Sequence, residues 1–200
     1  MKVTLEAINQ AIAALFFICY AYQFVYIPIA LFRKKKRLPA AAPHRYAVLI
    51  AARNEEAVIG DLLDSLHRQD YDMSLVTVFV IADNCTDRTA AIAAEKGAVV
   101  YTRENRRQVG KGYALEALLA HIRSDYPDGY DAYLVFDADN LLAPDFITRM
   151  NESYAAGNEI ITCYRNSKNY GSNWISAGYA LWFRRESRYL NGAREAIGSS

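Results

Sequence analysis

Hydrophobic residues fall along this chain in two regimes. From Ala11 to Leu31 they run almost without a break, and Gln23 is the one strongly polar side chain among them. About 20 apolar residues cross the hydrocarbon core of a bilayer as a helix, and Pro28 near one end is tolerated in such a helix. From Tyr46 onward strand and helix patterns alternate. Tyr46–Ala52, Leu75–Ala82, Ala98–Thr102 and Asp131–Phe136 read as strands. Between them, Glu55–Gln69, Asp87–Lys96 and Lys111–Ser124 carry apolar residues at helical spacing. Gly97 stands where a helix C-cap glycine belongs. Pro144–Ala156 predicts a helix with proline in its first turn, Ile160–Tyr164 a further strand, and Trp174–Tyr189 a helix.

Strands alternating with helices predict a mostly parallel, Rossmann-like α/β sheet with helices on both faces. In such sheets the ligand crevice lies beyond the carboxyl ends of the strands. Polar clusters gather there in this sequence. The first strand leads into Arg53-Asn54-Glu55-Glu56, the second into Asp83-Asn84-Cys85-Thr86-Asp87, and the fourth into Asp137-Ala138-Asp139-Asn140. Gly110-Lys111-Gly112 precedes the third of the helices. Each cluster alone could be turn and capping chemistry. Four of them after successive elements of one sheet point to a ligand crevice.

Asp137 and Asp139 carry the most chemistry. Side chains two apart on a strand share a face, so both carboxylates can approach one point. One hard cation, Mg²⁺ or Mn²⁺, suits that point when a diphosphate supplies its other ligands. Lys111, beside glycines at a helix start, adds a cation and a helix N-terminus for anions. Asp83 can accept a hydrogen bond from a base N–H. Other nucleotide and catalytic motifs are absent from the sequence: no Gly-x-Gly-x-x-Gly follows the first strand, Gly110-Lys111 lacks the P-loop context, and there is no Gly-x-Ser-x-Gly elbow.

Composition and charge narrow the picture further. The chain has 200 residues, 52% of them hydrophobic, enough for one globular domain and an appendage. A net charge of +1 gives no reason to expect nucleic acid as a partner. Cys19, Cys85 and Cys163 are scattered and odd in number, which excludes a disulfide framework or a Cys-rich zinc site and fits a reducing compartment. Five consecutive cations, Arg33–Arg37, follow the apolar window. A cleaved signal peptide carries its charge before the apolar run, and only Lys2 does so here. The positive-inside rule puts the basic end in the cytosol and the short N-terminal stub outside, with the cations near anionic lipid headgroups. The chain thus divides into a stub and transmembrane helix (1–32), a basic juxtamembrane linker (33–44) and a cytosolic domain (45–200).

The segments Ala51–Glu56, Asp83–Asp87, Gly110–Leu115 and Asp137–Asn140 resemble the family 2 glycosyltransferases in order and spacing, over most of Arg45–Tyr164. With an apolar helix ahead of the domain, the chain looks most like the membrane-integrated, polysaccharide-making branch of that family. The resemblance implies a GT-A fold and a metal-dependent, inverting transfer of a sugar from a UDP-sugar to a glycan or lipid-linked acceptor at the cytosolic face of the cell membrane. It implies that Ala51, Arg53 and Glu55 line the nucleotide pocket, that Asp83 binds the base and that Lys111 lies near base or diphosphate. It makes Asp139 the metal ligand proper, with Asp137 near ribose and metal, and Mg²⁺ or Mn²⁺ the cofactor. The chain departs from the family after Asp139. The family's Glu-Asp pair, which supplies the general base, and its Gln-x-x-Arg-Trp element are missing. The expectation is therefore that these 200 residues hold the donor half of a site, with no catalytic base among them and the base lying beyond Ser200. The rival expectation is a catalytically inactive, membrane-anchored nucleotide-binding or scaffold protein of the same fold.

Overall fold

The computed structural model describes residues 2–33, 38–168 and 170–198. Lys34–Arg37, most of the basic run, lie outside the described residues. The chain forms two compact units, Leu38–Ile161 and a second made of Met1–Arg37 with Thr162–Ser200.

The first unit is built on four parallel strands, β1 (Tyr46–Ala52), β2 (Val76–Asp83), β3 (Val99–Arg103) and β4 (Ala132–Asp137), in the order β3-β2-β1-β4. Connections β1 to β2 and β2 to β3 step one way along the sheet, through α2 (Ile59–His67) and α3 (Thr89–Glu95). The chain then reverses through α4 (Lys111–Asp125) and places β4 on the far side of β1. Right-handed crossovers taken in opposite directions put their helices on opposite faces, which explains the two cores. Tyr46, Val48, Ile50 and Val80 pack with Ile59, Leu62, Leu66 and, from α5 (Phe146–Ala155), Ile147. Ala47, Leu49, Phe79 and Ile81 pack with Ala114, Leu118 and Ile122 of α4. The near-continuous apolar strands follow from burial on both faces.

The outer strand is less complete. Ala132, Leu134 and Phe136 of β4 join the first core, whereas Tyr133 and Val135 on the other face are exposed. The strand expected at Ile160–Tyr164 does not form, and Ile160 is 92% exposed. A strand exists only as part of a ladder, and among the described residues β4 pairs with β1 alone. At the opposite end of the sheet from the polar clusters, Asn151 Oδ1 accepts from the Tyr46 hydroxyl at 2.9 Å and the Tyr71 hydroxyl at 3.2 Å. Its side-chain amide donates to the Ala42 carbonyl at 3.0 Å and so ties down the segment before β1.

In the second unit, α1 (Lys2–Phe32) is one continuous helix whose stretch Thr4–Phe32 is long and apolar enough to cross a membrane. Its large side chains, Phe16, Phe17, Ile18 and Phe24 among them, are exposed. The C-terminal segment begins as α6 (Trp174–Arg184), capped by Asn173, whose side chain accepts from the Ser176 amide. It widens into a π-helical stretch, Arg185–Leu190, and ends as α7 (Asn191–Ala196). Arg33 donates to the Gly192 carbonyl at 3.0 Å and pairs with Glu195 at 2.6 Å. A Cβ at position 192 would lie 3.0 Å from the Arg33 guanidinium carbon.

Candidate active site

All four strands end on one edge of the sheet, and the reversal of strand order lies between β1 and β4. That is where parallel α/β sheets bind ligands. The ladders fix the heights of the site residues. Ala51 is level with Ile81 on one side and Asp137 on the other, and Asp83 is level with Arg103.

The loops leaving β1 and β2 are stitched to each other. Asn54 and Asn84 both take left-handed backbone conformations, with φ of 55° and 53°. Asparagine tolerates this region better than most residues, and such strain concentrates at functional sites. Asn54 Oδ1 accepts from the Thr86 amide at 2.8 Å. The Glu55 amide donates to the Thr89 hydroxyl at 2.8 Å, and the Glu56 amide to Asp87 at 3.1 Å. The Arg88 amide donates back to the Glu56 carboxylate at 2.9 Å. The helix expected from Glu55 starts at Ile59: the Ile59 amide already closes a turn on the Glu55 carbonyl at 3.0 Å, but Val58 has φ −129°, outside the helical range. Asp87 also accepts from the Thr89 hydroxyl at 2.6 Å. That bond, with backbone amides behind it, holds its carboxyl below the ordinary value of 3.8.

Asp83 is buried. Its Oδ1 accepts from Arg103 at 2.6 Å and from the Asn84 side chain at 3.0 Å. The Asp83 and Arg103 side chains are only 6% and 12% exposed. Asn84 reaches on to the loop after β3, donating to the Asn105 carbonyl at 3.2 Å and accepting from the Asn105 amide at 2.9 Å. Arg103 holds the same loop through the Gln108 carbonyl at 2.9 Å. The result is a cleft of about 670 Å³ lined by Arg53, Asn84, Cys85, Thr86, Glu104, Arg106 and Val109. Its walls mix both charges with apolar atoms.

At the end of β4, Lys111 donates to Asp137 Oδ1. Lys111 opens α4 behind Gly110, whose φ of 137° and ψ of 157° belong to a region open only to glycine. The α4 N-terminus is thus aimed by a residue that cannot carry a side chain without strain. Asn140 closes the turn: its Oδ1 accepts from the Asp137 amide and its Nδ2 donates to Asp139, both at 3.2 Å. Asp137 and Asp139 are both exposed, with buried Ala138 between them.

Two carboxylates and a neighbouring lysine fit a divalent ion that completes its shell with diphosphate oxygens and water. They do not make a cage for an ion alone. Among the described residues no group of three or more His, Cys, Asp or Glu side chains comes together for a metal.

Of the residues named from the sequence, Arg53 lines the cleft, and Asp83 sits on the strand end beside it. Lys111 and Asp137 form a pair, with Asp139 on the following turn. Ala51 lies one ladder step from Asp137, and Glu55 is used through its backbone in the loop clamp. Arg103, Glu104 and Arg106 were not among the expected residues. The signal for Arg103 was available, because the carboxyl-end rule applies to β3 as much as to its neighbours.

The sheet is thus parallel, carries helices on both faces and ends in an acidic pair beside the strand-order reversal. Residues 47–197 match the family described as Glycosyl transferase family 2, and the chain belongs to that family. It is similar to a beta-monoglucosyldiacylglycerol synthase of Nostoc sp. (strain PCC 7120), with 28% identity over 165 residues, 76% of this chain and 34% of the relative. It is also similar to the low-salt glycan biosynthesis hexosyltransferase Agl6 of Haloferax volcanii, with 34% identity over 95 residues, 48% of this chain and 22% of that protein. The chain thus spans about a third or less of the length of these curated relatives. Among solved structures, the mannosyltransferase PcManGT of Pyrobaculum calidifontis, in complex with GDP-Man and Mn²⁺, superposes with a TM-score of 0.60 at 20% identity. The match covers 82% of this chain and 48% of that one. That likeness shows the GT-A fold.

Proposed function

We propose that the chain binds a nucleotide-diphosphate sugar, with uridine as the nucleoside, and serves an inverting, metal-dependent transfer of the sugar to a glycan or lipid-linked acceptor at the cytosolic membrane face. The observation that carries this reading is the placement of Asp137, Asp139 and Lys111 at the strand-order reversal, with β1 between them and the Asp83 corner of β2. The base would enter the cleft at Arg53, with Asp83 accepting from a ring N–H. Arg103 would hold that carboxylate in place. Lys111 would neutralise diphosphate or Asp137 according to whether donor is bound, and the α4 N-terminus adds dipolar attraction for the anion. A divalent cation, Mg²⁺ or Mn²⁺, held by Asp139 with Asp137 would supply Lewis-acid stabilisation for the leaving diphosphate. A lipid-linked acceptor is in keeping with the diacylglycerol in the name of the Nostoc relative.

In this reading residues 1–32 anchor the chain with the N-terminus outside, 33–44 form the basic linker, and of the transferase domain 45–200 the sheet-bearing part up to Ile161 lies in the cytosol, while Thr162–Ser200 packs with the anchor helix. The test is calorimetry of the whole chain with UDP. Binding is expected in Mn²⁺, lost in EDTA, and lost in Asp139→Ala with Mn²⁺ present. Binding that is equal with and without metal would contradict the site. No UDP binding under any condition would favour the inactive scaffold.

A further inference from the structure

The acidic turn after β4 is anchored at both ends. On the strand side, the β1–β4 ladder sets Asp137 level with Ala51. Beyond the turn, the Leu142 amide donates to the Ser65 hydroxyl of α2 at 3.2 Å. The next two carbonyls are held as well: Ala143 accepts from Gln69 Nε2 at 2.8 Å, and Pro144 from the Asp70 amide at 2.8 Å. Gln69 Oε1 then accepts from the Ile147 amide at 3.0 Å. That amide is one of the donors that the first turn of α5 leaves without an intrahelical partner, and Asp145 at the N-cap makes no side-chain cap bond.

Ser65 and Gln69 are buried, at 3% and 7% exposure. Polar groups are costly in such places unless their bonds are made, and here they are. The Ser65 hydroxyl also donates to the Leu62 carbonyl at 2.7 Å, and Gln69 Nε2 to the Ser65 carbonyl at 3.1 Å. Apolar contact between α2 and α5 is non-directional, whereas these bonds fix the loop at named backbone atoms on both sides of Pro144. Asp139 lies between the two anchors, and the Asn140 side chain links it to the Asp137 amide. The direction of its carboxylate follows from where the two ends of this short span are held.

We propose that Ser65 and Gln69 are positioning residues for the metal: by fixing Leu142–Ile147 they hold Asp139 where it and Asp137 can share one divalent ion. Neither side chain touches the ion or the nucleotide. The inference rests on the nucleotide-sugar reading of the site. Partners that orient metal ligands typically change metal affinity 10–100-fold, and a residue acting through the backbone belongs at the lower end of that range.

The experiment is equilibrium binding of trace radiolabelled UDP to the full chain over a range of Mn²⁺ concentrations. It gives two readouts: a plateau, which falls with the amount of folded protein, and a Mn²⁺ midpoint, which follows the geometry of the metal ligands. Gln69→Met keeps the shape and removes the amide, and should raise the midpoint about tenfold. Ser65→Ala removes one bond to the loop and should raise it about threefold. Asn151→Leu breaks a buried amide network of the same kind, on the same α5 but at the opposite end of the sheet. It should lower the plateau and leave the midpoint where it was. A midpoint unmoved in Gln69→Met and Ser65→Ala, or moved as far in Asn151→Leu, would overturn the positioning role and leave the nucleotide site standing. Ser65→Ala decides the matter if Gln69→Met does not fold. Absence of Mn²⁺-dependent UDP binding in the unsubstituted chain would instead overturn the nucleotide reading, and this inference with it.

Discussion

At the scale of single residues, the site depends on one buried ion pair. Asp83 and Arg103 meet at 2.6 Å with almost no solvent access, and removing one partner strands a charge. Arg103→Leu is expected to lower stability by about 3 kcal/mol, read from urea unfolding. The double variant Arg103→Leu/Asp83→Leu should recover part of that loss, because the carboxylate goes with its partner. Equal losses in both would show that packing, not charge, holds the corner. Asp87 offers a second residue-scale test. Its carboxyl is lowered chiefly by the Thr89 hydroxyl. A depressed folded-state value means the stabilising contribution is complete above the unfolded value of 3.8 and disappears as pH falls through the lower, folded one. Melting temperature should therefore drop more steeply with acid between 3.8 and the lower, folded value in the unsubstituted chain than in Thr89→Val. Parallel acid limbs would remove the hydroxyl as the cause.

At the scale of elements, much of the fold is legible in the sequence. The strand runs at Tyr46 and Val76 are apolar on both faces and bounded by turn residues, and a doubly covered parallel sheet needs that pattern. The helix over Lys111–Asp125 is announced by the spacing of Leu115, Leu118, Leu119 and Ile122, and the C-cap at Gly97 by its glycine. Features that depend on a distant partner are hidden. The bonds from the Glu55 and Glu56 amides to Thr89 and Asp87 join positions 31 and more residues apart in sequence. The pairing of Asp83 with Arg103 comes from the β2–β3 register. The expected strand at Ile160 has apolar residues but no ladder to join. Gly110 is legible as a glycine, yet only the backbone shows that its φ of 137° is closed to other residues. Gly110→Ala should cost about 1–3 kcal/mol and weaken UDP binding, since the strain falls on the residue before Lys111. Thermal unfolding and UDP titration of the same variant check both effects. An unchanged UDP affinity in a folded variant would separate the α4 entry from the nucleotide site.

At the scale of the whole molecule, a long apolar helix ahead of a parallel α/β domain is the organisation that the hydrophobic pattern announces. The acidic pair, the lysine and the Asp83–Arg103 corner come from three different strand ends and one helix start, and only the crossover order brings them to one edge. The proposed chemistry reduces to whether that edge holds a metal and a nucleotide together. The most direct measurement is a crystal structure of the chain grown with Mn²⁺ and UDP, with data collected at the manganese absorption edge. The account predicts an anomalous peak bonded to Asp139, in reach of Asp137, and touching the UDP diphosphate, with the uracil ring in the cleft at Arg53 and Asp83. A diphosphate lying elsewhere, or a manganese peak distant from both carboxylates, would contradict it.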